Sequence, residues 1–217
     1  MPTIIYYSAH LESEDFERRI RKTLARNGRT LPMISVTQKP VGIGKNICVG
    51  EMGVSSQNAY RQLQTGALVA KTKYICTAES DFLYPEEYFR FKPRRDDVAY
   101  YADPLYVLHN QRGYAKVFNL KPRGSEGAMF VNRLFLIEAI EKLLKNFGFW
   151  GMADASQLPY YLFQRPYKVR RFKLSKPVIT FKTERQMHKR TPHDPTVKSR
   201  ELPYWGKSHD LIRRYQG

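Results

Sequence analysis

Glu79-Ser80-Asp81 places two carboxylates one residue apart at the end of the apolar run Tyr74-Ile75-Cys76-Thr77-Ala78. If the backbone stays extended, residues i and i+2 leave the strand on the same side, so both acids can converge on one cation. A hard divalent ion, Mn²⁺ or Mg²⁺, takes oxygen ligands and bridges readily to diphosphate oxygens. There it would neutralise the charge that builds on a nucleoside-diphosphate leaving group. The same pair also fits a surface turn in which Asp81 caps the approach to Pro85.

The residues on either side narrow the choice. Before the acids come Tyr60-Arg61-Gln62, Gly66, Ala70 and Lys73-Tyr74-Ile75. After them come Leu83-Tyr84-Pro85, Phe89, Pro93-Arg94-Arg95-Asp96-Asp97-Val98 and Tyr100-Tyr101. This run of about forty residues resembles the small nucleotide-sugar glycosyltransferases of the GT-A fold. Among them is a group, many from phages and bacteria, whose metal motif is Glu-x-Asp followed by Leu-Tyr-Pro. The likeness is loose over the rest of the chain. It departs from the wider superfamily at Glu79, where Asp is usual. Glu79 could therefore bind the metal through water or hydrogen-bond the ribose, which leaves Asp81 as the firmer ligand.

The resemblance implies roles for other residues. Tyr7 and Ser8, at the end of the first strand, would receive the nucleotide base, and Arg61 and Gln62 would contact nucleotide or diphosphate. Asp154, in Trp150-Gly151-Met152-Ala153-Asp154-Ala155-Ser156-Gln157, would be the general base that deprotonates the acceptor. Many members carry an acidic pair there, and Ala153 removes the first acid. Asp154 also suits a helix N-cap. Glu126, in Gly124-Ser125-Glu126-Gly127-Ala128-Met129, is the weaker alternative base. A histidine near the C-terminus often completes the metal shell in such enzymes, with His188 the first choice and His193 the second. Lys189 and Arg190 would then lie by the diphosphate or a nucleic-acid backbone. The donor would be a UDP- or GDP-sugar.

Charge bears on the acceptor. The chain carries 37 Lys+Arg against 20 Asp+Glu, a formal net charge of +17. Residues 164–217 hold 15 basic and 4 acidic residues, net +11, which leaves 22 and 16, net +6, for the first 163. A basic C-terminal segment attracts a polyanion, nucleic acid first and anionic membrane second, or is a solvated tail. With Tyr160, Tyr161, Tyr167, Phe172, Tyr204 and Trp205 interleaved among the cations, bases could stack as phosphates pair. That favours DNA bearing a 5-hydroxymethylpyrimidine, as in phage DNA, with the base extruded for reaction. A glycan, lipid or protein acceptor is the alternative. From other classes, a non-enzymatic nucleic-acid-binding protein and a metal-dependent nuclease fit the same residues, although a nuclease gathers more acids and a lysine.

Elements that could position these groups follow from the pattern. The first 80 residues alternate strand and helix: a strand over Thr3–Ala9, a helix capped by Ser13 and stopped at Asn27-Gly28, and a strand over Leu31–Val36. A glycine-containing loop at Val41–Lys45, a helix capped by Ser55 or Ser56 and a strand over Tyr74–Ala78 come next. That repetition predicts an α/β protein with a GT-A, Rossmann-like sheet, mixed but mainly parallel and flanked by helices, its ligands at the carboxyl ends of the strands. Further strands are expected at Val98–Tyr101, Leu105–His109, Ala115–Leu120, Ala128–Val131, Val169–Phe172 and Val178–Phe181, with a turn at Ala102-Asp103-Pro104. Helices are expected at Asn132–Phe147 and Ser156–Phe163. The catalytic domain is placed at 1–181 and a basic arm packed on the same domain at 182–217. Cys48 and Cys76 are too few for a disulfide framework or zinc cluster. No apolar run reaches the ~18 residues of a membrane span. The start shows no basic-then-apolar leader, so a cytoplasmic protein is expected, in a bacterial host if phage-encoded.

Overall fold

Thr3–Ser8 forms the first strand, β1, and all of its residues are buried. A strand covered on both faces can be apolar throughout. Here Ile4 and Tyr6 enter one layer of core while Ile5 and Tyr7 enter the other. The computed structural model describes residues 1–151, 158, 162–187 and 193–216. Along the chain follow α1 (Glu14–Asn27), β2 (Met33–Thr37), β3 (Lys45–Cys48), α2 (Ser56–Val69), β4 (Tyr74–Glu79) and β5 (Phe82–Leu83). After a 3₁₀ turn at Glu86–Arg90 come β6 (Val98–His109), β7 (Phe118–Leu120), a second 3₁₀ turn at Glu126–Ala128, β8 (Met129–Asn132) and α3 (Arg133–Leu143). The chain ends with β9 (Lys168–Lys182), β10 (Lys198–Ser199), the β11–β12 hairpin (Glu201–Leu202, Gly206–Lys207) and α4 (Ser208–Gln216).

The main sheet is mixed, ordered β3-β2-β1-β4-β8-β6-β7-β10, with β9 on β6 and β5 on β9. Its first four strands are mutually parallel, and the long β6–β9 ladder is parallel as well. Parallel ladders therefore carry most of the pairing, as expected for the α/β class. On one face α2 and α3 bury Tyr60, Leu63, Ala67, Leu136, Ile137 and Ile140 against Ile5, Tyr7 and Val131. The other face buries Leu24 of α1 with Ile4, Tyr6, Tyr84, Tyr88 and Phe130.

Caps fix the helix starts. Ser13 and Ser55 each accept a backbone N–H, from Phe16 and Asn58, and Asn132 accepts two, from Leu134 and Phe135. Each satisfies donors that the first turn leaves open. Helix α3 stops at Leu143, short of the expected Phe147.

Several expectations are corrected. The glycine-containing loop leads straight into β3: Gly44 at φ +59° turns the chain where a side chain would meet the Met33 carbonyl oxygen at 2.5 Å. The expected break at Ala102-Asp103-Pro104 is a bulge within one strand, β6, and the two strands expected after Val169 are one strand, β9. Asp103 faces Lys173 and Leu105 faces Val178, so residues 174–177 bulge out beside Pro104, which has no N–H to donate. Strand β7 is shorter than the expected Ala115–Leu120. The helix expected at Ser156–Phe163 lies mostly outside the described residues. Strand β9 runs through Lys182, and the chain beyond returns as β10 and α4. Helix α4 packs Leu211, Ile212 and Tyr215 against Phe16, Ile20 and Phe181, and the Tyr215 hydroxyl lies 2.8 Å from Thr23 Oγ1.

Candidate active site

The carboxyl ends of β1 and β4 lie side by side, with Tyr7 in register with Glu79. Register partners project to the same face of a sheet, and the Tyr7 hydroxyl donates to Glu79 Oε1. Beyond these ends opens a cavity of about 230 Å³ walled by Glu79, Asp81, Lys121, Glu126, Lys182 and Gln62, among others.

Glu79 and Asp81 converge there, but not through an extended Glu79–Asp81 stretch. Strand β4 stops at Glu79, and Ser80 and Asp81 form a turn into β5. Asp81 is fixed instead by the far end of β9 and the turn after it: Thr180 Oγ1 donates to its Oδ2 at 3.2 Å, and Gln186 Nε2 at 2.8 Å. Burial raises the pKa of both acids. For Glu79 the charge of Asp81 adds to burial, whereas Lys182 and Thr180 oppose the shift at Asp81. Such a pair favours a proton or an added cation.

The Leu83-Tyr84-Pro85 motif acquires a physical role. Tyr84 is 1% exposed, and its hydroxyl accepts the Glu79 backbone N–H at 2.9 Å and donates to the Gly127 carbonyl. One ring thus ties β4 to the loop before β8. Thr77 ties the same loop, donating to the Glu126 carbonyl at 2.6 Å and accepting the Met129 N–H at 3.0 Å. Gly127 is required by proximity, since a Cβ there would sit 2.7 Å from Glu79 Cδ.

Glu126, the weaker base by sequence, forms part of the wall. Its Oε1 accepts the backbone N–H groups of Leu162 and Phe163, and its Oε2 accepts the Tyr60 hydroxyl at 3.2 Å. Burial outweighs these bonds and pushes its carboxyl up to about 7. Two lysines that the sequence did not single out complete the wall. Lys121, just after β7, is 8% exposed, and burial with the nearby charge of Lys182 lowers its pKa to about 8. Lys182 ends β9. The only local signals were a lysine closing an apolar strand and a lysine opening the Pro122–Gly127 loop, and neither says what it will face.

The other expected site residues are more scattered. Tyr7 and Ser8 line the cavity, but the Tyr7 hydroxyl is engaged by Glu79 and Ser8 Oγ donates to Glu17 at 3.0 and 3.1 Å. Gln62 also lines it while its amide donates to the carbonyls of Ser8 and Val36 at 2.8 and 3.0 Å, tying α2 to β1 and β2. Arg61 lies off the cavity wall. It donates to Gln64 Oε1 at 2.9 Å and the Gly148 carbonyl at 3.3 Å, and sits 5.0 Å from the Phe149 ring centroid. His193 packs by His109, with ring centroids 5.3 Å apart. Asp154, His188, Lys189 and Arg190 lie outside the described residues.

Among the described residues no cluster of three or more His, Cys, Asp or Glu side chains could hold a metal. Glu79 and Asp81 nonetheless fit a hard cation in part. Their side-chain hydrogen bonds engage Oε1 and Oδ2, and the other oxygen of each acid is the one that can turn to a metal. No described helix is long and apolar enough to cross a membrane.

No known protein family matches the sequence, and no curated protein matches it. Solved structures with a similar course include a glycosyltransferase involved in the glycosylation of the major capsid of PBCV-1, at 13% identity and TM-score 0.45 over 79% of this chain and 80% of that one. The bifunctional IspDF from Campylobacter jejuni aligns at 7% identity and TM-score 0.41, over 81% of this chain and 50% of that one. The inositol-1-phosphate CTP transferase from T. maritima aligns at 11% identity and TM-score 0.41, over 83% and 89%.

Proposed function

We propose that the protein is a metal-dependent glycosyltransferase of GT-A type that moves a sugar from a UDP- or GDP-sugar to a hydroxyl acceptor. The observation that carries this reading is the joint placement of Glu79, Asp81, Lys121 and Lys182 around one cavity at the carboxyl ends of parallel strands. In open α/β sheets that edge is where ligands bind. Two acids and two lysines suit a diphosphate: the acids would hold Mn²⁺ or Mg²⁺, which supplies charge neutralisation on the leaving oxygens. Lys121 and Lys182 place two further positive charges where negative charge develops.

The remaining roles belong to the chain's own groups. Tyr7 and Tyr84 hold Glu79 in one orientation from its carboxylate and its backbone. The acceptor oxygen bonds to the anomeric carbon as the bond from that carbon to the phosphate oxygen breaks, and the nucleoside diphosphate leaves with the electron pair. The acceptor proton passes to a carboxylate, Asp154 by the resemblance. Among the described acids of the cavity, Glu126 is the alternative base, with its pKa of about 7 matched to proton transfer near neutrality and its Oε2 shared with the Tyr60 hydroxyl. The strong positive charge favours DNA bearing a 5-hydroxymethylpyrimidine as acceptor.

The test incubates the protein with Mn²⁺, a panel of UDP- and GDP-sugars and DNA containing 5-hydroxymethylcytosine or 5-hydroxymethyluracil, and reads modified nucleosides by mass spectrometry. A sugar-sized mass gain that disappears in Asp81→Asn is expected. Donor hydrolysis dependent on Asp81 without DNA modification keeps the transferase and moves the acceptor to a glycan, lipid or protein. Absence of both donor binding and hydrolysis overturns the reading.

A further inference from the structure

A second concave surface lies away from the cavity, between the loop after the first 3₁₀ turn and the first half of β9, and it encloses about 430 Å³. Lys92, Arg94, Arg95, Arg170 and Arg171 line it. Only part of this charge is matched. Asp97 lies 2.8 Å from Arg95 and is shared with Lys168, and Asp103 lies 2.6 Å from Lys173 and 3.9 Å from Arg171. Among the described residues no ion pair involves Lys92, Arg94 or Arg170. Three cations without carboxylates in one cleft repel one another until an anion enters.

The floor of the cleft is built of packed aromatic rings. Phe91 stacks on Phe172 with centroids 4.0 Å apart, Tyr100 lies 5.3 Å from Phe91, and the Tyr100 hydroxyl accepts the Arg95 backbone N–H at 3.1 Å. These rings pack into the protein and do not project as a membrane-inserting wedge would. The cations are mostly arginines, whose planar donor forks match phosphate oxygens.

We propose that this cleft is a docking site for the phosphate backbone of a nucleic acid, a proposal that rests on the reading of DNA as acceptor and gives it a place on the surface. Register sets the distance to the cavity. Arg170 is level with Tyr100, Tyr100 with Phe130 and Phe130 with Cys76. Cys76 is three residues before Glu79, about 10 Å along the strand, and β9 lies three strands over from β4, about 14 Å across. The separation is therefore about 17 Å, or roughly five base pairs of duplex. A duplex offering an extruded base to the cavity brings its backbone to the cleft about half a turn away.

Fluorescence anisotropy with a labelled duplex containing 5-hydroxymethylcytosine, over a NaCl series, tests this. Lys92→Gln/Arg94→Gln/Arg170→Gln is expected to weaken binding at least about tenfold at moderate salt. It is also expected to lower the slope of log K against log salt by two to three, about 0.9 for each phosphate no longer neutralised. Arg94→Lys/Arg170→Lys keeps the charge and is expected to keep most of the slope. The three single changes read the same effect in smaller steps should the triple variant fold poorly. Unchanged affinity and slope overturn the proposal, as does loss of binding to phosphatidylserine vesicles with DNA affinity intact. Donor hydrolysis without DNA is measured in parallel and is expected to be unaffected. Its absence in the parent protein would count against the glycosyltransferase reading and leaves the binding result standing.

Discussion

Replacing Gly127 by alanine tests whether the position of Glu79 matters to catalysis. A Cβ at 127 would stand 2.7 Å from Glu79 Cδ, 2.8 Å from Glu79 Oε1 and 2.8 Å from Phe82 Cζ. Ordinary contact begins near 3.4 Å, so the carboxyl group must retreat by about 0.6–0.7 Å. The retreat is resisted on two sides. Tyr7 holds Oε1, and Tyr84 grips both the Glu79 N–H and the Gly127 carbonyl. Overpacking of this kind costs about 1–3 kcal/mol, and at this chain length each kcal/mol lowers Tm by roughly 2–4 °C. Misplacing a positioned group by about 1 Å can cost about a hundredfold in rate. The expected result for Gly127→Ala is a Tm lower by several degrees and donor turnover reduced about 10- to 100-fold. The control is Gly42→Ala, where an added Cβ meets nothing within 4 Å. Thermal unfolding by circular dichroism and nucleoside-diphosphate release from the donor supply the two readouts. If Gly127→Ala turns over donor as fast as Gly42→Ala, Glu79 is not held for catalysis and the reasoning fails.

Lys121→Met keeps a long unbranched side chain in a nearly buried position while removing its charge. It is expected to weaken nucleotide-sugar affinity by about tenfold or more, roughly 1.4 kcal/mol, in calorimetric titration with the fold intact by circular dichroism. Unchanged affinity would remove Lys121 from the proposed diphosphate site. Glu17 gives a pH prediction away from the cavity. Burial between Ser8, His10 and Arg21 pushes its carboxyl up to about 7. The folded state then holds a proton that the unfolded chain releases near 4.5, so this group's contribution is greatest below about pH 4.5 and is lost as pH rises through 7. Glu17→Gln is expected to remove that part of the decline in Tm between pH 5 and pH 8, and identical pH profiles for variant and parent would refute the assignment.

The difference between what sequence showed and what it hid follows the length of chain that each feature spans. Ser13 with its acidic first turn, Ser55, and the apolar runs of β1 and β4 are local signals, and each produced its element. The acid pair was legible for the same reason, since Glu79 and Asp81 are nearly adjacent. How the two acids meet was not, because the answer lies about a hundred residues away. Thr180 and Gln186 hold Asp81 in a turn that the rule of alternating side chains in a strand could not foresee. Lys121 and Lys182 were hidden by the same arithmetic: two strand ends reach one cavity only because β6 pairs with β7 on one edge and β9 on the other. The basic cleft behaves likewise. Lys92 and Arg94 precede β6, and Arg170 lies on β9. The charge count placed the strongest excess after residue 164, yet the cleft draws its cations from both sides of that boundary. A bulk charge is compatible with any polyanion and names none. The parallel register of β6 and β9 sets Arg170 level with Tyr100, whose hydroxyl holds the loop that carries Lys92 and Arg94, and so brings separate cations onto one surface.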